Sequence, residues 1–193
     1  MRLPYVDPSS STFDSPENSA ILSRVSARRA PRPLQSLDLA LLHAPPVADG
    51  WNSFLGAIRT KTSLSDDVRE VAICRVAVIN EAWYEWGHHA PLAKAGGVSE
   101  EALKILGDRH LGGMGGEKAK GLLSEKLWAV VRYTDEMTAN VKVPEDVFGE
   151  IKRLFSEQEV VEITATIAAY NCVSRFLVAL DVGEKNSLKG PEL

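Results

Sequence analysis

Glu85 and His89 stand four residues apart within EAWYEWGHH, residues 81–89, which gathers aromatics, a carboxylate and imidazoles more tightly than any other stretch of the chain. On a helix, residues four apart share a face, and Tyr84 and His88 form a second pair at the same spacing. A carboxylate beside an imidazole fixes the ring's tautomer and raises its basicity, which makes a general acid or base usable near neutral pH. Glu85 lies near the expected helix start, where the helix dipole favours its charged form. The expectation is therefore that His89 transfers a proton, Glu85 orients or charges it, and His88 is a reserve donor. Glu70, an unusual carboxylate in the apolar run 65–79, would close a trio if the two helices pack side by side. Trp83, Tyr84 and Trp86 would supply apolar or stacking walls, and Arg75 completes the substrate-binding candidates.

Other readings of these residues stay open at this point. Glu85 with His89 could be an ordinary surface pair, worth about 0.3–0.5 kcal/mol. Glu70 could pair with Arg75 or another basic residue. Zinc fits poorly, because the adjacent His88 and His89 diverge by about 100° on a helix and cannot both reach one ion. The patterns for a serine nucleophile, a dinucleotide fingerprint and a phosphate-binding loop are all missing. His43 and His110 lie outside the cluster and read as surface residues. No metal, flavin or nicotinamide is implied.

The elements that must position this chemistry are helices. The first central helix is expected over 65–79, opened by Ser65 with Asp66 and Asp67 near its positive end. The second runs over 81–95. Before them, residues 1–15 read as a tail or an arm laid over a neighbour. Helices are expected at 16–28, 34–43 and 47–59, with Pro45 and Pro46 stopping the middle one. After them, Ser99 caps a short helix to about Leu106. The segment 107–121, with six glycines, is a loop, read as a connector or a lid over the site. Helices follow at 124–139, 144–155 and 156–181, with Pro144 at a first helical position. No segment alternates as a strand, so the fold class is all-α. A weak internal repeat places Ser65 and Asn80 at the same separation as Ser156 and Asn171.

The 193 residues suit one domain with an N-terminal extension: 1–45 as the extension, 46–183 as the helical domain and 184–193 as a tail. A net charge of −4 without a basic cluster argues against nucleic acid. No run of the ~20 apolar residues that a membrane helix needs is evident, nor a signal peptide, so the expected place is the cytoplasm. Cys74 and Cys172 lie far apart in apolar helical patterns and read as small core residues.

The sequence RE-VAI-RVA-xxN followed by YEWGHH and then A-x-AG resembles the carboxymuconolactone decarboxylase family, within the superfamily that includes alkylhydroperoxidase D-like proteins. The resemblance covers about residues 47–181, and 65–107 is its specific part. It implies an all-helical homo-oligomer, a trimer or hexamer with a dimer as second choice, in a family that includes cofactor-free decarboxylases and thiol peroxidases. The peroxidase branch carries a glutamate, a Cys-x-x-Cys pair and a histidine. With Glu70 on that glutamate, Ala82 and Glu85 stand where the cysteines would be and His89 stands on the histidine. A dithiol mechanism is thereby removed. What the resemblance then implies is a cofactor-independent decarboxylase of a small carboxylated lactone, keto acid or aromatic acid, working through an enolate. An isomerase or cyclase using the same proton transfer is the alternative, as is a non-catalytic oligomer that binds small acids.

Overall fold

The computed structural model describes residues 1–111, 119 and 121–191. Among them every regular element is a helix: a 3₁₀ turn at Ser11–Phe13, then α1 Pro16–Arg29, α2 Ser36–Leu41, α3 Pro45–Thr60, α4 Asp66–Ile79, α5 Trp83–Ala95, α6 Glu100–Leu106, α7 Glu125–Ala139, α8 Glu145–Leu154 and α9 Glu157–Leu180. The all-α expectation is met. The glycine-rich segment read as a connector or lid lies largely outside the described residues. The chain divides into two compact units, 1–61 with 180–184, and 62–179 with 185–193.

In the first unit, Ser15 accepts a hydrogen bond from the Asn18 amide at 3.2 Å and Pro16 opens α1, so the start is fixed by a cap and a residue that needs no amide partner. Ile21, Val25 and Arg29 recur every four residues on its buried face. Arg29 meets Asp38 through two hydrogen bonds of 2.7 and 2.8 Å, and Asp38 also accepts the Gln35 amide at the start of α2. Pro45 and Pro46 begin α3 rather than merely ending α2, because the first helical turn has no intrahelical acceptor for its amides. α3, expected within the central domain, packs on α1 in this unit. The N-terminal residues are tied down too: the Arg2 amide donates to Leu180 O at 2.8 Å and the Tyr5 hydroxyl donates to Glu184 at 3.0 Å.

The second unit is built on α4, which is buried nearly all round through Val71, Ala72, Ile73, Cys74, Val76, Ala77 and Val78. Its serine start sits where the sequence put it, although the Ser65 side chain makes no cap hydrogen bond. α4 and α5 form an antiparallel hairpin. The link is a Schellman turn: the Ala82 amide donates to Ala77 O at 2.8 Å and the Glu81 amide to Val78 O at 3.2 Å. Glu81 takes the left-handed conformation (φ 54°) that usually falls to glycine. At the far end, Gly96 lies so close to α4 that an added Cβ would stand 3.1 Å from the Asp67 amide nitrogen. The two asparagines singled out by the repeat meet, Asn80 Nδ2 donating to Asn171 Oδ1 at 3.1 Å. Pro144 is the N-cap of α8 rather than its first residue.

α9 is long and apolar enough, by length and composition alone, to cross a membrane. This corrects the expectation that the chain has no such run. Ile163, Ile167, Ala169, Tyr170, Val173 and Leu177 of this helix are buried within the protein, which accounts for its apolar character.

Arg75 is placed as a structural staple, away from the role of a substrate binder or a Glu70 partner. It is buried, pairs with Asp135 of α7, and donates to the carbonyls of Leu106 and Asp108 at 2.8 and 2.6 Å. One planar guanidinium thus fixes α4, α7 and the residues after α6 together. Arg75→Met is expected to lower stability by about 3 kcal/mol, since it strands both a carboxylate and buried carbonyls. Thermal and urea unfolding of the variant beside the wild type checks this.

Candidate active site

The α4/α5 hairpin brings Glu70 and His89 together across its two helices. Both are buried, and Glu70 Oε2 lies 2.6 Å from His89 Nδ1. The other carboxylate oxygen accepts from Arg69 Nε at 3.2 Å. A carboxylate held between a guanidinium and an imidazole fixes the ring's orientation. Nδ1 of the ring is thus engaged by Glu70. The ring is also held from α9, where Tyr170 presents an edge-to-face contact with centroids 5.0 Å apart and planes at 82°.

Glu85 does not orient His89. It lies one turn earlier on α5, is buried, and has one hydrogen-bonding neighbour, the Ser174 hydroxyl on α9, 3.3 Å from Oε1. Its Oε2 is buried with no partner among the described residues. Burial pushes its carboxyl well above the ordinary 4.5. The expectation that the helix dipole would keep Glu85 charged fails for a quantitative reason. A dipole contributes about 0.3–1 kcal/mol, whereas full burial shifts a carboxyl by up to several pKa units.

The folded state holds a proton on Glu85 that the unfolded chain releases above about pH 4.5. That contribution to stability is complete below pH 4.5 and is lost as pH rises towards the folded-state pKa. Glu85→Gln should therefore gain in melting temperature over the wild type as pH is raised from 4.5 to 8. Parallel melting curves across that range check it.

Cys74 lies on α4 one turn after Glu70. Burial first, then the charge of Glu70, holds its thiol well above 9.0. His88 is exposed, its Nδ1 donating to Tyr84 O at 2.8 Å while its ring lies 4.4 Å from that of Tyr84. The pair expected at Tyr84 and His88 thus forms, on the outer side of α5. Trp86 is fully buried. Trp83 is turned to the C-terminal residues, donating from Nε1 to Leu188 O at 3.0 Å. Arg69, Tyr170 and Ser174 were not singled out in the sequence. The available signal for the last two was a tyrosine and a serine four residues apart in a helix otherwise read as core. Among the described residues, no group of three or more His, Cys, Asp or Glu side chains is placed to hold a metal ion.

Residues 45–111 match the Carboxymuconolactone decarboxylase family. No curated protein sequence matches the chain. Solved structures share the fold. The AhpD-core, peroxidase-related protein from Ralstonia eutropha JMP134 aligns with TM-score 0.73 at 16% identity, over 95% of this chain and 93% of that one. The debrominase Bmp8, as its C82A variant in complex with 2,3,4-tribromopyrrole, aligns with TM-score 0.68 at 15% identity, over 94% and 90%. An AhpD-type protein of unknown function from Agrobacterium tumefaciens aligns with TM-score 0.61 at 19% identity, over 72% and 90%. Over residues 45–111 the chain is similar to the carboxymuconolactone decarboxylase family, and its helical fold is the one these AhpD-like structures share.

Proposed function

We propose that the chain is a cofactor-independent decarboxylase of a small carboxylated lactone, keto acid or aromatic acid, with His89 as the proton-transfer residue and Glu70 as the group that positions and charges it. The observation that carries this reading is the buried 2.6 Å contact between Glu70 Oε2 and His89 Nδ1. In the reaction, the bond between the substrate carbon and its carboxylate breaks, carbon dioxide leaves, and the electron pair passes onto a neighbouring carbonyl as an enolate. The imidazolium at His89 stabilises that negative charge and then delivers its Nε2 proton to the carbon. Solvent returns the proton to His89. The substrate's own carbonyl is the electron sink, so no bound cofactor is needed. Glu70 stays ionised throughout.

A peroxidase-type alternative is disfavoured by the thiols. Ala82 and Glu85 occupy the positions where the resemblance would put a cysteine pair. Cys74 is buried and held as a thiol, while Cys172 is exposed on α9, and both are free. Iodoacetamide at pH 7.5 is expected to leave Cys74 unmodified in the native protein and to alkylate it only after unfolding, as read by peptide mass spectrometry. Turnover should survive this treatment.

Assembly into a homo-oligomer belongs to the same proposal. Val161, Ala168, Cys172 and Ala179 are exposed apolar positions along one side of α9, with Arg175 among them, which supports it. The function is tested by incubating the protein with a panel of β-keto, lactone and hydroxyaromatic acids and measuring carbon dioxide. Release from a member of the panel, abolished in His89→Ala, is the expected result. No release from any of them would count against the assignment.

A further inference from the structure

Ser174 has one hydroxyl hydrogen and two oxygen neighbours. Its Oγ lies 2.5 Å from Tyr170 O, the carbonyl one turn earlier on α9, and 3.3 Å from Glu85 Oε1. A carbonyl can only accept, so the shorter contact uses the hydrogen. Towards Glu85, Ser174 can then offer only a lone pair, and the contact is favourable only if Glu85 Oε1 carries a proton. An ionised Glu85 would face an acceptor on one side and have no donor on the other. A protonated one donates to Ser174 and leaves Oε2 as a carbonyl-type acceptor, fully buried and without a partner among the described residues. A buried oxygen with open acceptor capacity is costly and calls for an occupant.

We propose that Glu85 is a neutral carboxylic acid at neutral pH and that its Oε2 accepts a hydrogen bond from a hydroxyl or enol O–H of the bound acid, making it a specificity-determining residue for hydroxylated or enolic acids. This rests on the reading of the site as one that takes a small carboxylic acid. His89, one turn further along the same helix face, supplies the positive charge for the carboxylate. The two groups together select an acid whose O–H is set apart from its carboxylate. The remaining polar groups around Glu85 fit this division. Glu70 on α4 is committed to His89 and Arg69, Cys74 on α4 stays a neutral thiol, and Ser174 and Tyr170 on α9 form their own hydrogen bond. A neutral Glu85 adds no charge to repel an anionic substrate.

The test has two arms on the intact protein. In the infrared, a protonated-carboxyl C=O band that shifts in D₂O should be present at pH 7 in the wild type and in Glu70→Gln, and missing from Glu85→Gln. In calorimetry, 3-hydroxybenzoate should bind the wild type about 10-fold tighter than benzoate, the effect of one hydrogen bond into a buried acceptor. Glu85→Gln should keep that ratio, because its amide nitrogen can donate to Ser174 and its oxygen still faces the ligand. Glu85→Leu should bring the ratio to about one while still binding benzoate. Lack of the infrared band, or an unchanged ratio in Glu85→Leu, overturns the proposal. If benzoate binds in a His89-dependent way with no preference for the hydroxy acid, the small-acid reading stands and the Glu85 proposal falls. If neither acid binds the wild type, both fall.

Discussion

His89→Ala is expected to lower kcat by about 10²–10⁴-fold on the true substrate, the usual range for loss of a general acid or base. The reason lies in the geometry of one ring. Nδ1 is taken by Glu70, Tyr170 meets the ring from α9, and the proton that reaches carbon leaves from the other nitrogen. Alanine removes the donor without disturbing Glu70's contact with Arg69. The folded state should survive, since the lost side chain comes from a helix whose apolar contacts through Trp86, Ala90 and Ala93 remain. kcat, KM and the melting temperature, measured together, separate loss of chemistry from loss of structure.

Glu70→Gln is expected to have the second largest effect, a loss of about 10²–10⁴-fold in kcat. The amide can still hydrogen-bond to Nδ1, but it cannot support an imidazolium, and it permits the wrong tautomer. The same exchange beside the catalytic histidine of a serine protease costs about 10⁴-fold for that reason. The losses in Glu70→Gln and His89→Ala should not add in the double variant, because the two residues act as one unit. A pH profile of kcat/KM supplies the readout that a merely structural role would leave unmoved: the limb assigned to His89 should shift to lower pH in Glu70→Gln, since the imidazolium loses its anionic partner.

This division of roles reverses what spacing suggests, and the physics of the reversal is instructive. Glu85 and His89 do share a helix face, but position four residues along reports only where the Cβ atoms lie. Which carboxylate reaches Nδ1 is decided by the neighbouring helix, and the Schellman turn at Asn80–Ala82 sets α4 so that Glu70 arrives there. The chemistry-bearing stretch and the hairpin were legible because a run as apolar as 71–78 has few places to go except the core. The helix starts at Ser99 and Ser124 were legible because capping is local: each serine accepts an amide hydrogen bond from three residues on. Arg75 was not legible as a staple, since its partners Asp135, Leu106 and Asp108 lie 60, 31 and 33 residues away. Ser174 and Tyr170 went unread because a serine and a tyrosine in an apolar helix look like tolerated polar residues until another helix places a carboxyl and an imidazole against them. The prolines at 45 and 46 carried two meanings at once, a stop for one helix and a start for the next, and sequence favoured the first.

The most direct test of the central claim is the product formed in D₂O from an acid that the protein decarboxylates, followed by NMR. The account predicts one carbon dioxide released per product, one deuterium on the carbon that lost it, and both slowed in parallel by His89→Ala and Glu70→Gln. Carbon dioxide release at the wild-type rate in His89→Ala, or deuterium exchange into the acids with no carbon dioxide released, would contradict it.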